Sequence, residues 1–256
     1  MAGGNYEGIY GRNPVYEVLR AGRRKVHRVL VDRRAEVQGR LRDILELAKD
    51  MSVPIRYVDR KDLGAQNANH QGVVAECSQF TYVSLSDMLA SAAQGSEPPF
   101  ILLLDLIQDP QNLGTLLRTA EAVGVHGVAI PSRRAAGVTP AVVSASSGAC
   151  EHLLIARENL HQAIVALKGD GVWITGLEGS ADAQTAGEID LGGPMALVVG
   201  SEGAGLRRLV REGCDFLLRI PMRGNVESLN AAVAGSIGLY AVWEARGFKG
   251  SAGAGS

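Results

Sequence analysis

Hydrophobic and polar positions divide this chain of 256 residues into two differently patterned stretches. In the first, short elements alternate. Asn13-Pro14 reads as a helix cap followed by a proline at the first helical position, Val15–Arg20 continues the helix, and Gly22 stops it. His27–Val31 reads as a strand, Ala35–Lys49 as an amphipathic helix, and Ile55–Val58 and Gly72–Glu76 as two further strands. Leu85–Pro99 is rich in Ser and Ala, holds a Gly and ends in a Pro-Pro pair, which predicts a linker over 83–99. Beyond it the apolar runs are too continuous for strands with one wet face: Ile101–Leu106, Gly127–Ile130, Val172–Thr175, Ala196–Val199 and Phe216–Ile220. Helical segments separate most of them, so a mostly parallel sheet covered on both faces is expected. The predicted organisation is an α/β domain over 1–82, the linker, a second α/β domain over 100–247 and a disordered tail over 248–256.

Composition changes this picture in three ways. No apolar run approaches the roughly 18 residues a membrane span needs, and Met1–Gly8 lacks the basic and apolar regions of a secretory signal, so a soluble cytoplasmic protein is expected. Cys77, Cys150 and Cys214 are widely separated and form no CxxC pair, which suggests neither disulfides nor a metal site. The net charge of −1 conceals an asymmetry, because residues 1–82 carry 14 Lys/Arg against 10 Asp/Glu while residues 83–256 carry 12 against 17. The basic amino-terminal part suits a polyanionic partner.

Three segments join a buried strand to a helix through a polar loop. The first runs from Asp105 through Asp109-Pro110 and Asn112 to Arg118. A turn at Asp109-Pro110 and a cap at Asn112 would need no chemistry, but Asn112 and Arg118 could also line one wall of a crevice at the strand's carboxyl end. The second is Gly200-Ser201-Glu202-Gly203-Ala204-Gly205, ahead of a predicted helix Leu206–Glu212. Its G-x-x-G-x-G spacing is neither the dinucleotide fingerprint nor a P-loop, yet it lets backbone approach a ligand and sets the Glu202 carboxylate beside it. The third runs from Ile220-Pro221-Met222 to Ser228-Leu229-Asn230 and leads into a helix rich in small residues, Ala231, Ala232, Ala234, Gly235, Ser236 and Gly238, which predicts a close packing partner. In an open parallel sheet, loops of this kind converge on one edge.

Together these segments resemble the SpoU/TrmH methyltransferases, whose motifs read D-x-x-x-D-P-x-N-x-G-x-x-x-R, G-x-E-G-x-G and I-P-M-x-G-x-x-x-S-L-N and occur here in that order within Phe100–Gly247. Tyr10-Gly11-Arg12-Asn13-Pro14-Val15 and Asn69-His70-Gln71-Gly72-Val73-Val74-Ala75 resemble the RNA-binding domain of members that methylate a guanosine ribose in 23S ribosomal RNA. The resemblance implies a carboxyl-terminal SPOUT-type trefoil knot, a homodimer formed through that domain, and S-adenosylmethionine as cofactor. Carried over residue by residue, Asn112, Arg118, Glu202, Ser228 and Asn230 match the catalytic set. Gly200, Ile220, Met222, Ser228, Leu229 and Asn230 match the cofactor loops, with Thr175, Gly176 and Leu177 as further candidates for the adenosine pocket and no metal implied. A guanidinium keeps its proton in proteins, so Arg118 is expected to stabilise a developing alkoxide and a neighbouring phosphate, leaving the base open. His70 is expected to contact RNA or make a structural hydrogen bond. The competing readings are a transfer-RNA ribose methylase and a non-catalytic RNA-binding assembly factor. The intact polar set disfavours the second of these, and the amino-terminal domain favours ribosomal over transfer RNA.

Overall fold

The computed structural model describes residues 6–64, 70–133, 135–203 and 205–250. Asn69, Ala204 and the end of the predicted tail, 251–256, lie outside the described residues. The chain forms two compact units, one of Met1–Thr81 with Val138–His152, the other of Tyr82–Gly137 with Leu153–Ser256.

The first unit holds strands β1 (Glu7–Tyr10), β2 (Val26–Asp32), β3 (Ile55–Val58) and β4 (Val73–Cys77), ordered β1-β4-β2-β3. Only the β2–β3 pair is parallel. Helices α1 (Arg12–Ala21) and α2 (Arg40–Asp50) bury their apolar stripes, Val15, Val18 and Leu19 on one and Leu41, Ile44 and Leu45 on the other. Asn13 lies inside α1 rather than capping it, since Pro14 is tolerated anywhere in a first turn whose N–H groups are unpaired. α2 begins five residues later than its periodicity suggested, because Gly39 takes a left-handed φ of 53° and ends the preceding turn.

Val138–His152 contributes α5 (Pro140–Ala145) and a short 3₁₀ turn, Ala149–Glu151, to this unit. A side chain at Gly148 would meet the Glu17 Cβ at 2.6 Å, so α1 and this segment are in close contact. Glu151, 1% exposed, receives the Arg24 guanidinium through Nε at 3.0 Å and Nη2 at 2.8 Å. Burial pushes the Glu151 carboxyl up, and it holds the Cys150 thiol at about 12, in keeping with an inert, buried cysteine.

The second unit holds strands β5 (Phe100–Leu104), β6 (Gly127–Pro131), β7 (Ile155–Glu158), β8 (Trp173–Leu177), β9 (Met195–Val199) and β10 (Phe216–Leu218). They form one all-parallel sheet in the order β10-β8-β9-β5-β6-β7. The connecting helices are α4 (Pro110–Ala122), α6 (Leu160–Gly169), α7 (Arg208–Glu212) and α8 (Ala231–Ala245). The five apolar runs singled out in the sequence all became strands; β7 escaped because its four residues include an Arg and a Glu. The predicted linker is corrected at Leu85–Ala93, which is a helix, α3. Ser84 and Asp87 close a capping box at its start, and Leu85, Met88 and Ala92 enter the core at helical spacing. Gly127 is what lets α3 sit so close, because a Cβ there would collide with Met88. Among the described residues no helix is long and apolar enough to cross a membrane.

Candidate functional site

Chain order reverses direction across the sheet at β5 and β9. β6 and β7 extend it on one side of β5, whereas β9, β8 and β10 lie on the other. A crevice opens at the carboxyl ends of strands at such a switch point. The loops after β5, β9, β8 and β10 all leave from those ends, so the sheet topology brings the three polar segments together.

The loop after β9 is shaped by its own backbone. Ser201 and Gly205 exchange N–H···O bonds of 3.2 and 3.0 Å, and Gly203 and Gly205 adopt φ of 74° and 63°. A Cβ at Gly200 would run into the Gly205 carbonyl, so glycine is required there by the loop itself, whatever the loop binds. The fully buried Asp105 accepts from the Arg207 backbone N–H at 2.8 Å and from its Nε at 2.6 Å, tying the far end of the loop to the end of β5. The N–H at the start of α7 is thus taken by a carboxylate rather than offered to a ligand. The sequence singled out Asp105 only as a motif position; its place inside an otherwise apolar buried run was the signal for this role.

Asn112, Glu202 and Asn230 come from three different segments and meet. Asn112 Nδ2 donates to Glu202 Oε1 at 3.2 Å, Asn230 Nδ2 donates to Asn112 Oδ1 at 3.1 Å, and Asn230 Nδ2 also donates to Glu202. The capping reading of Asn230 holds at the same time, because its Oδ1 accepts from Ala232 and Val233 N–H groups at 2.9 and 3.2 Å. Asp109 caps α4 in the same manner, so the cap expected at Asn112 is corrected to Asp109 and Asn112 lies inside the first turn. Arg118 is exposed on α4, nearly two turns beyond Asn112, and lines neither of the clefts described next.

Two clefts share Ser201, Glu202 and Ala231. The larger, about 490 Å³, has apolar walls of Leu177, Leu218, Ile220, Met222 and Leu229, with Gly200, Ser228 and the carboxylates of Glu178 and Glu227 at its margin. The smaller, about 300 Å³, opens beside Asn112 and the loop from Leu106 to Asp109. Thr175 and Gly176 do not line either one. Thr175 is 1% exposed within β8, and Gly176 faces Leu206 and Cys214 on the other side of the sheet, leaving Leu177 as the β8 residue that reaches the larger cleft. Glu178, Glu227 and Leu218 were missed by the sequence reading, since a carboxylate in a loop or a leucine in an apolar run carries no motif of its own. Glu178 is held by Arg211 Nε at 2.8 Å, and Arg211 also binds Asp182 at 3.0 Å.

The small residues of α8 find their partner within the chain. Gly235 sits where a Cβ would collide with Leu116 and Val199, and Gly238 lies against Leu197 and Leu177, so this face presses onto α4 and the sheet. The large apolar residues Val233, Ile237 and Tyr240 point outward and are 46%, 42% and 47% exposed. The close packing partner expected for these small residues is therefore α4 and the sheet of the same chain. Among the described residues no group of three or more His, Cys, Asp or Glu side chains is arranged to hold a metal ion.

Comparison with known proteins matches residues 99–240 to the SpoU rRNA Methylase family and residues 9–83 to the RNA 2'-O ribose methyltransferase substrate binding family. The 23S rRNA (guanosine-2'-O-)-methyltransferase RlmB of Coxiella burnetii is 42% identical over 240 residues, covering 93% of this chain and 95% of that protein. The crystal structure of the SpoU methyltransferase AviRb from Streptomyces viridochromogenes in complex with AdoMet superposes with a TM-score of 0.76 at 26% identity, over 93% of this chain and 90% of that one. The A. aeolicus TrmH/SpoU tRNA modifying enzyme covers 65% of this chain and 86% of its own, with a TM-score of 0.54 at 27% identity.

Proposed function

This chain belongs to the SpoU rRNA methylase family, and from that premise we propose that it transfers the methyl group of S-adenosylmethionine to a ribose 2′-hydroxyl of 23S ribosomal RNA, on a guanosine, in the cytoplasm. The observation that carries this reading is the meeting of Asn112 and Asn230 on Glu202, the carboxylate that lines both clefts. One cleft suits the cofactor and the other a ribose, with Glu202 and Ser201 between them.

The larger cleft fits S-adenosylmethionine chemically. Its volume falls within the roughly 300–1,000 Å³ of small-molecule sites, its apolar wall suits an adenine face, and Glu178, Glu202 and Glu227 suit hydroxyls and positive charge. When bound, the cofactor supplies an electrophilic methyl group on a sulfonium. Everything else falls to this chain's residues, which must hold the ribose hydroxyl in line with that methyl and manage its proton. In this reading Gly200, Ile220, Met222 and Leu229 hold the cofactor together with Leu177, and Thr175 and Gly176 support that wall from within β8. Ser228 and Asn230 position the third loop, while Asn112 and Glu202 fix α4 against the glycine loop. Arg118, exposed on α4, takes the RNA phosphate and the developing alkoxide.

The fit of a separate substrate-binding family to residues 9–83 favours ribosomal over transfer RNA, since the tRNA modifying enzyme above matches only part of this chain. A homodimer through the exposed face of α8 and the knotted chain path of the family belong to the same proposal. Val233, Ile237, Tyr240 and Phe248 support the dimer as an apolar face left in water by a single chain. Light scattering at micromolar concentration should give twice the chain mass.

The function is tested by mapping 2′-O-methylation in ribosomal RNA from cells with and without the protein, and by methyl transfer to the same RNA in vitro. Arg118→Ala should lower transfer by roughly a hundredfold or more while RNA affinity changes a few-fold, the usual scale for losing a transition-state stabiliser. Arg118→Lys should be nearly as inactive, because the ammonium lacks the planar fork that holds two oxygens at once. Near-normal turnover of Arg118→Ala would remove the catalytic assignment.

A further inference from the structure

A cavity of about 640 Å³, larger than the cofactor cleft, lies wholly within the amino-terminal unit. It opens at the carboxyl ends of the parallel pair β2 and β3. Arg12 begins one wall, Asp32 ends β2 with Arg34 just beyond it, and Asp59, Arg60 and Lys61 lie in the turn after β3. Four cations therefore converge on a space that holds two carboxylates. The ion pairs of this unit are made elsewhere, by Arg20, Arg24, Arg28 and Arg40. Among the described residues none of the four cavity cations takes part in one. The two carboxylates offset only half of that charge, and an entering anion lowers the repulsion that remains.

The floor of the cavity is a built turn. Gln71 and Gly72 both lie in the left-handed region, at φ of 50° and 82°. That conformation is uncommon for a glutamine and persists only where its surroundings enforce it. Here four contacts do so. The buried His70 accepts the Gly72 N–H on Nδ1 at 3.0 Å, and the Gly72 carbonyl accepts the Asp32 N–H at 2.9 Å. The Gln71 side chain accepts the Arg12 N–H at 3.0 Å, and its carbonyl accepts Arg12 Nε at 3.3 Å. Burial, with Arg60 nearby, holds the His70 imidazole below its ordinary range, which keeps Nδ1 available as an acceptor. A Cβ on Gly72 would stand 3.0 Å from Ala35. The Asp32 carboxylate is itself fixed by the Arg34 N–H at 3.0 Å.

We propose that this cavity holds one unpaired nucleotide of the RNA substrate, its flanking phosphates on Arg34, Arg60 and Lys61 and the amino group of its base on Asp32 and Asp59. The inference rests on the reading of the chain as an RNA methyltransferase and adds where the RNA is gripped. Its concave shape selects a splayed-out nucleotide, because a duplex presents a broad surface that is read by shape, whereas unpaired bases enter pockets and stack on guanidinium planes. The cations supply affinity for any sequence, and the two carboxylates supply a preference for bases that can donate.

The test uses the full-length protein and in vitro transcribed 23S ribosomal RNA in filter binding across a series of salt concentrations, with methyl transfer measured on the same samples. Arg60 and Lys61 are exposed, so the double variant Arg60→Ala/Lys61→Ala should fold as the parent does. It is expected to bind about tenfold more weakly near 0.1 M salt, and the slope of log affinity against log salt should fall by about two, one for each lost phosphate contact. Asp59→Asn should keep the slope and change which base at the gripped position is preferred. A double variant with the parent's affinity and salt slope would overturn the proposal, as would a fully paired RNA duplex competing as well as a transcript with unpaired loops. Loss of binding in the double variant, in a protein that transfers no methyl group at all, would leave the cavity assigned and remove the methyltransferase reading. Methyl transfer by the parent, matched by the double variant at limiting RNA, would do the reverse.

Discussion

The cofactor cleft of the carboxyl-terminal unit and the cavity of the amino-terminal unit are made of different material. In the carboxyl-terminal unit the cleft takes its shape from backbone, with Gly200 crossing Gly205 and Ser201 bonded to Gly205 over apolar walls and three carboxylates. In the amino-terminal unit it takes its character from charge, four cations arranged around a strained turn. The first should fail when its shape is disturbed and be little affected by salt. The second should tolerate changes of shape at its rim and weaken as counterions compete. A shaped, acidic cleft suits a small cation, and a basic one suits a polyanion, so the division of labour follows from what each is built of.

The largest effect on ligand binding should come from disturbing shape where only glycine fits. Gly200→Val places a branched side chain into the Gly205 carbonyl, and calorimetry should find S-adenosylmethionine affinity reduced by about a hundredfold, the upper end of an overpacking penalty. RNA binding through the other unit should persist with an unchanged salt slope. Cofactor affinity equal to that of the parent would erase the distinction between the two clefts.

An effect on folding stability rather than on ligand binding tests whether the amino-terminal unit includes the distant segment Val138–His152. Arg24→Met leaves Glu151, almost fully buried, as an uncompensated charge, and the unit should lose about 3–5 kcal/mol against unfolding. Urea denaturation should show this as a lowered midpoint for that unit while cofactor affinity is kept. An unchanged midpoint would mean that the segment is not held there by the pair. The same packing argues that removing residues 1–82 alone would strip α5 and its 3₁₀ turn of their partners.

The smallest effect is a response to acid that both units share. Burial lowers the pKa of His70 and of His126 from 6.5, assisted by Arg60 in one and Arg246 in the other. The unfolded chain then binds protons that the folded chain refuses. Stability is complete above about pH 6.5 and declines as pH falls through that value toward the depressed folded pKa. Urea midpoints should be lower near pH 5.5 than near pH 7.5, and His70→Asn should reduce the difference for the amino-terminal unit. Midpoints that rise in acid would reverse the sign and show that the imidazoles are held charged.

Much of this was legible in local patterns. Phe100–Leu104 and Met195–Val199 are buried along their whole length, so a parallel sheet announces itself as unbroken apolar runs. Asn230 is a cap residue that does cap, whereas the cap expected at Asn112 falls on Asp109, because Pro110 can only open the helix. Leu85–Ala93 was misread because its Ser and Ala, with Gly95 and the Pro-Pro pair beyond, weigh toward a linker unless the capping box is given precedence. Gly148 carried no local signal, since its need to be small is set by Glu17 and Pro14, far away in sequence.

By itself the sequence determined the kinds of element, the family, and the polar loops from which the site is drawn, because hydrophobic period, caps and glycines act over a few residues. Tertiary structure alone decided which of those residues touch. Asn112 meets Glu202 across 90 residues and Asn230 across 118, and Arg24 meets Glu151 across 127. Such contacts follow from strand order and from where the chain crosses between units, and no local pattern encodes a distance between elements whose neighbours are chosen only when the core closes.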